Sequence, residues 1–159
     1  MERNVYLLFM LVGWLLSAVG LNAQTPVAYY DFNGDAKDQS SFANHAAVNG
    51  AALTQDRFGW SNSAFSFDGV QDGITAPNSA PLNSPNATIS FWIKVNELPA
   101  QGEVFLLSNG GWQERWKISM PAHGKPVFTT HPGFCCSDMD SGTPLSIGVW
   151  THVVMVHDG

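Results

Sequence analysis

Charge is scarce in this sequence: Lys, Arg, Asp and Glu together make up 13% of it. The formal balance of −6 includes no cluster of Lys or Arg, which argues against nucleic acid or an anionic membrane surface as partner. Helical periodicity is missing too. Beyond residue 23 no window repeats apolar residues at helical spacing for three turns, so helices with solvated charged faces are not expected. Glutamate is rare, and Glu97, Glu103 and Glu114 each stand alone near a turn or strand end. Glycoside hydrolysis needs two carboxylates roughly 5 to 10 Å apart, and on a β-sandwich these usually come from alternate positions of one strand, so catalysis by this segment is not expected. Cysteine is limited to the adjacent pair Cys135-Cys136. Together with His123, His131 and His152 they would be the material for a zinc site, but no Cys-x-x-Cys pair exists and adjacent cysteines rarely ligate one zinc.

What is present begins with an export signal. Met1-Glu2-Arg3-Asn4 carries one basic residue and is followed by an apolar run from Val5 to Leu21, broken only by Gly13, Ser17 and Gly20. Cleavage after Ala23 is expected, giving a signal peptide over 1–23 and one domain over 24–159. The alternative is an uncleaved anchor, because the run approaches the roughly 17 to 20 residues needed to span a bilayer. Either way the remainder faces the outside, secreted or at the cell surface, in a periplasmic or extracellular setting. Glycans, proteins and cations are left as partners.

Gly and Pro are abundant, at 15 and 9 residues, and period-two alternation recurs, which together indicate short strands joined by turns. In Thr88–Val95, Ile89, Phe91, Ile93 and Val95 share one face while Ser90, Trp92 and Lys94 share the other. Trp150–His157 is apolar on both faces at its centre and is expected to be a central strand. Further strands are expected over Val27–Phe32, Ala64–Phe67, Gly73–Ala76, Glu103–Ser108, Arg115–Met120 and Lys125–Thr130. Asn33-Gly34, Asn49-Gly50, Asp68-Gly69, Asp72-Gly73 and Asn109-Gly110-Gly111 supply turn residues that tolerate positive φ. This punctuation predicts an all-β sandwich or barrel.

Several segments in this order resemble the laminin G-like domains of the concanavalin A-like lectin/glucanase superfamily, common in exported bacterial proteins. They are Ala28–Ser40, with its Asp-x-Ser loop at Asp38-Gln39-Ser40, then Asn49-Gly50-Ala51, Asp56-Arg57-Phe58-Gly59, Ala64–Gly69, Ile89–Lys94, and Trp150–Val154 with Asp158-Gly159. The resemblance implies a jelly roll of two facing antiparallel sheets, often with bound calcium and often used for carbohydrate or protein recognition. It implies no reaction, since one fold hosts many functions. Catalytic members carry a Glu-x-Asp-x-x-Glu-like run that nothing here matches. The family normally continues past an Asp-Gly like Asp158-Gly159 into further strands, so the chain reads as a fragment lacking its carboxyl-terminal strands, with further domains of a longer protein expected.

The expected function is therefore a noncatalytic module that binds a glycan or an extracellular protein; the alternative is the amino-terminal part of an exported glycoside hydrolase or polysaccharide lyase. Trp60, Trp112 and Trp116 are the candidate ligand contacts, because flat rings stack on sugar faces. Trp112, in the turn after Asn109-Gly110-Gly111, is the better one, while Trp116 alternates with Ile118 and Met120 and has core packing as its rival reading. Trp92 and Trp150 are assigned to packing. The acids of Asp31–Asp38 resemble an EF-hand loop only superficially, with Gly34 at the wrong position and Phe42 where a Glu belongs. In the laminin G-like reading Asp38 and Asp72 are the candidate calcium ligands, against the alternative that these acids cap turns. Cys135 and Cys136 lie in a long loop between two strands and, once exported, should be oxidised. A strained vicinal disulfide stiffening that loop is expected; the alternatives are two free buried thiols or a bridge to another chain or domain.

Overall fold

The computed structural model describes residues 25–110, 115–130 and 137–158, and within them the chain is built of antiparallel strands. No helix among the described residues is long and apolar enough to cross a membrane. The expected signal peptide, Trp112, and the Cys135-Cys136 pair lie outside the described residues.

Four short strands come first. β1 (Ala47–Asn49) pairs with β4 (Gly73–Thr75), and β2 (Ala52–Thr54) pairs with β3 (Ala64–Ser66). Between β1 and β2 the chain reverses at Gly50, whose φ of +80° suits a residue without a Cβ. A Cβ there would also come within 2.0 Å of the Asp72 side chain, so the turn is glycine-dependent on two counts.

The sandwich itself is formed by longer elements. β5 (Asn86–Lys94) and β10 (Trp150–Asp158) pair antiparallel along their whole length, with His152 opposite Trp92 and Val153 opposite Phe91. β6 (Glu103–Asn109), β7 (Trp116–Pro121), β8 (Val127–Thr130) and β9 (Ser137–Asp140) form a four-stranded sheet in chain order, with an irregularity between Phe105 and Leu107. Ile118 and Phe128 of that sheet meet Val153 and Met155 of β10, and Ile89, Phe91, Ile93, Leu106, Trp116 and Leu145 pack around them. The expected apolar face of the Thr88–Val95 segment is thus the core face, and the architecture is the expected all-β arrangement of facing antiparallel sheets. Each large side chain buried in such a core contributes about 1.5–3 kcal/mol.

Two expectations need correction. Val27–Phe32 forms no ladder, because its Tyr29 N–H donates to the Asp38 carboxylate (2.8 Å) instead of to a neighbouring strand. Trp150–His157 is not sheathed on both sides: among the described residues it pairs only with β5, and Val154 and Val156 are exposed. Gly73, whose dipeptide could also have served a turn, opens β4 as expected for the Gly73–Ala76 strand. The sequence reading also passed over β1, β2 and β9. The first two are three residues long, and β9 is exposed throughout, so none shows a burial alternation.

Candidate functional site

The loop joining β2 to β3 is organised by one carboxylate. Asp56 Oδ1 accepts the N–H groups of Phe58 and Trp60, each at 2.9 Å. The backbone closes around the same residue: Asp56 N–H donates to the Trp60 carbonyl (3.1 Å), and Gly59 N–H donates to the Asp56 carbonyl (3.1 Å). Gly59 sits at φ +84° with nothing near its missing Cβ, so it is the left-handed turn rather than close packing that calls for glycine there. With its polar backbone satisfied internally, the loop directs its large side chains outward. Trp60 is 69% exposed and Phe58 64%, their centroids 5.7 Å apart at 45°.

Arg57 ties this loop to the outer face of the β5–β10 sheet. Its guanidinium carbon lies 4.2 Å from the Phe58 ring centroid and 4.6 Å from that of Trp92. Trp92 is 45% exposed and stacks on its cross-strand neighbour His152, centroids 5.0 Å apart at 22°. Ser90 Oγ and His152 Nε2 are 2.8 Å apart on the same face. Phe58, Trp60, Arg57, Trp92 and His152 therefore make one exposed aromatic platform, with polar Ser90 at its border. Such a surface can stack on a flat apolar face of a ligand and hydrogen-bond its rim.

Of the expected contacts, Trp60 belongs to this platform. Trp116 does not: it is partly buried against the core, 6.2 Å from Phe128, and its alternation with Ile118 and Met120 decides its role. Trp92, expected to pack, instead faces outward, since it alternates with Phe91 and Ile93, which are partly buried against the core. Trp150 is partly buried, with Lys94 Nζ 5.5 Å from its ring centroid. Arg57, Phe58, Trp92 and His152 were missed by sequence reasoning. For Trp92 a signal existed, namely a single aromatic on the polar face of an alternating strand; for Arg57 there was none, because its two ring partners come from different elements.

Both acids expected to hold calcium accept hydrogen bonds within their own turns. Asp38 is 4% exposed. Its Oδ1 accepts Tyr29 N–H and Ser40 N–H (both 2.8 Å), and its Oδ2 accepts Ser40 O–H (2.8 Å) and Asn44 N–H (2.9 Å). Burial by itself would raise its pKa, but the hydrogen bonds from Tyr29, Ser40 and Asn44 outweigh it and hold the carboxyl below its ordinary value. A carboxylate offers about four acceptor positions, and here all are taken, so Asp38 clasps its loop. Asp72 sits in a separate exposed turn, where its Oδ2 accepts Asp68 N–H (2.8 Å) and its Oδ1 lies against Gly50. Among the described residues no group of three or more His, Cys, Asp or Glu side chains is placed to hold a metal ion.

The fold and this geometry agree with the comparison to known families. The model of the concanavalin A-like lectin/glucanases superfamily matches residues 67–159, and the chain belongs to that superfamily. The match takes in β5 and β10, hence Trp92 and His152, and begins after the loop that carries Arg57, Phe58 and Trp60. No curated protein and no solved structure matches the chain.

Proposed function

We propose that this chain is a noncatalytic, exported recognition module that binds carbohydrate on the Trp60–Phe58 platform. The observation that carries the reading is the joint exposure of Phe58, Trp60 and Trp92, with the Arg57 guanidinium against Phe58 and Trp92 and Trp60 beside Phe58, on a face the core does not need. Superfamily membership supports it, since carbohydrate-binding and related modules share this fold. Apolar rings left in water at this density cost solvation unless a ligand covers them. Trp112 is proposed as a second contact on the strength of its turn sequence, and a Cys135–Cys136 disulfide as a stiffener of its loop. Asp72, with backbone carbonyls, is the remaining candidate for a calcium ligand.

A polysaccharide pull-down panel tests the reading: retention on at least one insoluble or immobilised glycan is expected, and weakened retention on Trp60→Ala. Binding to a surface protein with no glycan retained would replace it with an adhesion role on the same face. For the disulfide, intact mass after alkylation without prior reduction decides, two added labels being the result that removes it.

A further inference from the structure

The platform contains one cation, and its setting narrows the ligand. Among the described residues the ion pairs are Lys37 with Asp35, Lys117 with Glu103 and Lys125 with Asp140; Arg57 takes part in none. Its nearest acid in sequence, Asp56, points Oδ1 into the loop, onto the N–H groups of Phe58 and Trp60. Arg57 is instead held against two aromatic rings, 4.2 and 4.6 Å from their centroids. Arg57 is exposed and in no ion pair, and a guanidinium can match an oxyanion bidentately through its N–H groups. Contact with two rings restrains the side chain before a ligand arrives, which lowers the entropy lost on binding. In a chain of formal charge −6, an unpaired guanidinium framed by exposed rings is a local feature and not part of a general basic surface.

Resting on the carbohydrate reading above, we infer that the platform takes an acidic sugar. Trp60 and Phe58 receive the ring faces, Arg57 binds the oxyanion, and the Ser90–His152 pair lies where a hydroxyl of the same ligand would reach. The oxyanion is a uronic acid carboxylate or a sulfate ester; both fit the fork of Arg57.

Titration calorimetry on the full chain separates the possibilities with three probes: polygalacturonate, its fully methyl-esterified form, and a sulfated galactan. Each is measured on the parent chain and on Trp60→Ala, Arg57→Ala and Arg57→Lys. The expected result is binding of one or both anionic probes about tenfold or more tighter than the ester, as a charge-assisted bidentate contact supplies. Arg57→Ala should remove that preference and Arg57→Lys should restore only part of it, because Lys keeps the charge without the fork. Trp60→Ala should weaken charged and neutral probes alike. Preference for polygalacturonate identifies the carboxylate as the source, and preference for the galactan identifies the sulfate. Equal binding of acid and ester, lost in Trp60→Ala, would overturn the acidic assignment while leaving carbohydrate recognition standing. An anionic preference unchanged in a folded Arg57→Ala would overturn the role of Arg57. No binding to any glycan would overturn both.

Discussion

Two loops in this protein are each tied together by one aspartate, and they differ in how deeply that aspartate is buried and in how many of its oxygens are used. Asp38 is buried, and its two oxygens gather Tyr29, Ser40 and Asn44, so the clasp itself is shut off from water while Tyr29 and Phe42 stay exposed around it. Asp56 uses one oxygen to gather Phe58 and Trp60, and its loop throws both rings into water. The clasping chemistry is the same, a carboxylate accepting backbone N–H groups in a turn. What differs is the side chains between the clasped residues. The comparison teaches that a loop-organising acid has no function of its own; the residues it holds rigid have the function.

The largest effect expected from breaking the comparison is at Asp38. Asp38→Ala orphans several donors around a buried site and should destabilise the domain by about 2–4 kcal/mol, read from chemical denaturation. Asp38→Asn should lose much of this and alter the acid limb. Because the folded carboxyl titrates below its ordinary value, its stabilisation is present above the unfolded pKa, about 4, and is lost as pH falls through the folded one. A stability profile of Asp38→Asn that keeps the parent's full acid sensitivity would show that another group carries it.

At the platform the same kind of change should act on binding. Trp60→Ala is expected to weaken glycan affinity by about 1–3 kcal/mol, the scale of stacking on an aromatic, and to shift stability by no more than about 0.5 kcal/mol, as for other exposed residues. A large destabilisation with unaltered affinity would mark Trp60 as structural. Asp56→Ala sharpens the comparison from the other side: stability should drop by about 1 kcal/mol, typical of a lost turn acceptor, with affinity falling because Phe58 and Trp60 are no longer held. Affinity unchanged in that variant would mean the loop needs no clasp to bind.

Glu103 offers a control away from both loops. Its carboxyl lies below its ordinary value, chiefly through its hydrogen bond from the buried Lys117. With the carboxylate partly exposed, Glu103→Gln should cost about 1 kcal/mol after allowance for solvent screening, and glycan binding should not change. The smallest effect is expected from calcium. With Asp72 and backbone carbonyls as the proposed ligands at an exposed turn, excess calcium should raise the melting temperature over chelator by roughly 1 °C or a little more, since an ion bound to the native state alone raises it. A melt unchanged between the two would remove Asp72 as a calcium ligand.

The β class was legible because period-two alternation and turn residues are local properties: Ile89, Phe91 and Ile93 could point only one way once Thr88–Val95 was extended. Trp116 was legible for the same reason, its alternation with Ile118 and Met120 placing it on the core. Trp92 was half legible, its face readable and its exposure not, because whether a second face is covered depends on elements distant in sequence. The Val27–Phe32 segment has strand-like composition, yet its amide was taken by Asp38, a competition no local pattern reveals.

The sequence by itself determined the strand periods, the turn positions and the family, since each rests on contacts between near neighbours or on motifs in order. Only the tertiary structure decided that Arg57 meets Trp92 across 35 residues of chain, that Asp38 is saturated, and which aromatics face water. The reason is physical: alternation assigns a side chain to a face, but burial, ring contact and hydrogen-bond saturation are set by whatever the rest of the chain brings to that face.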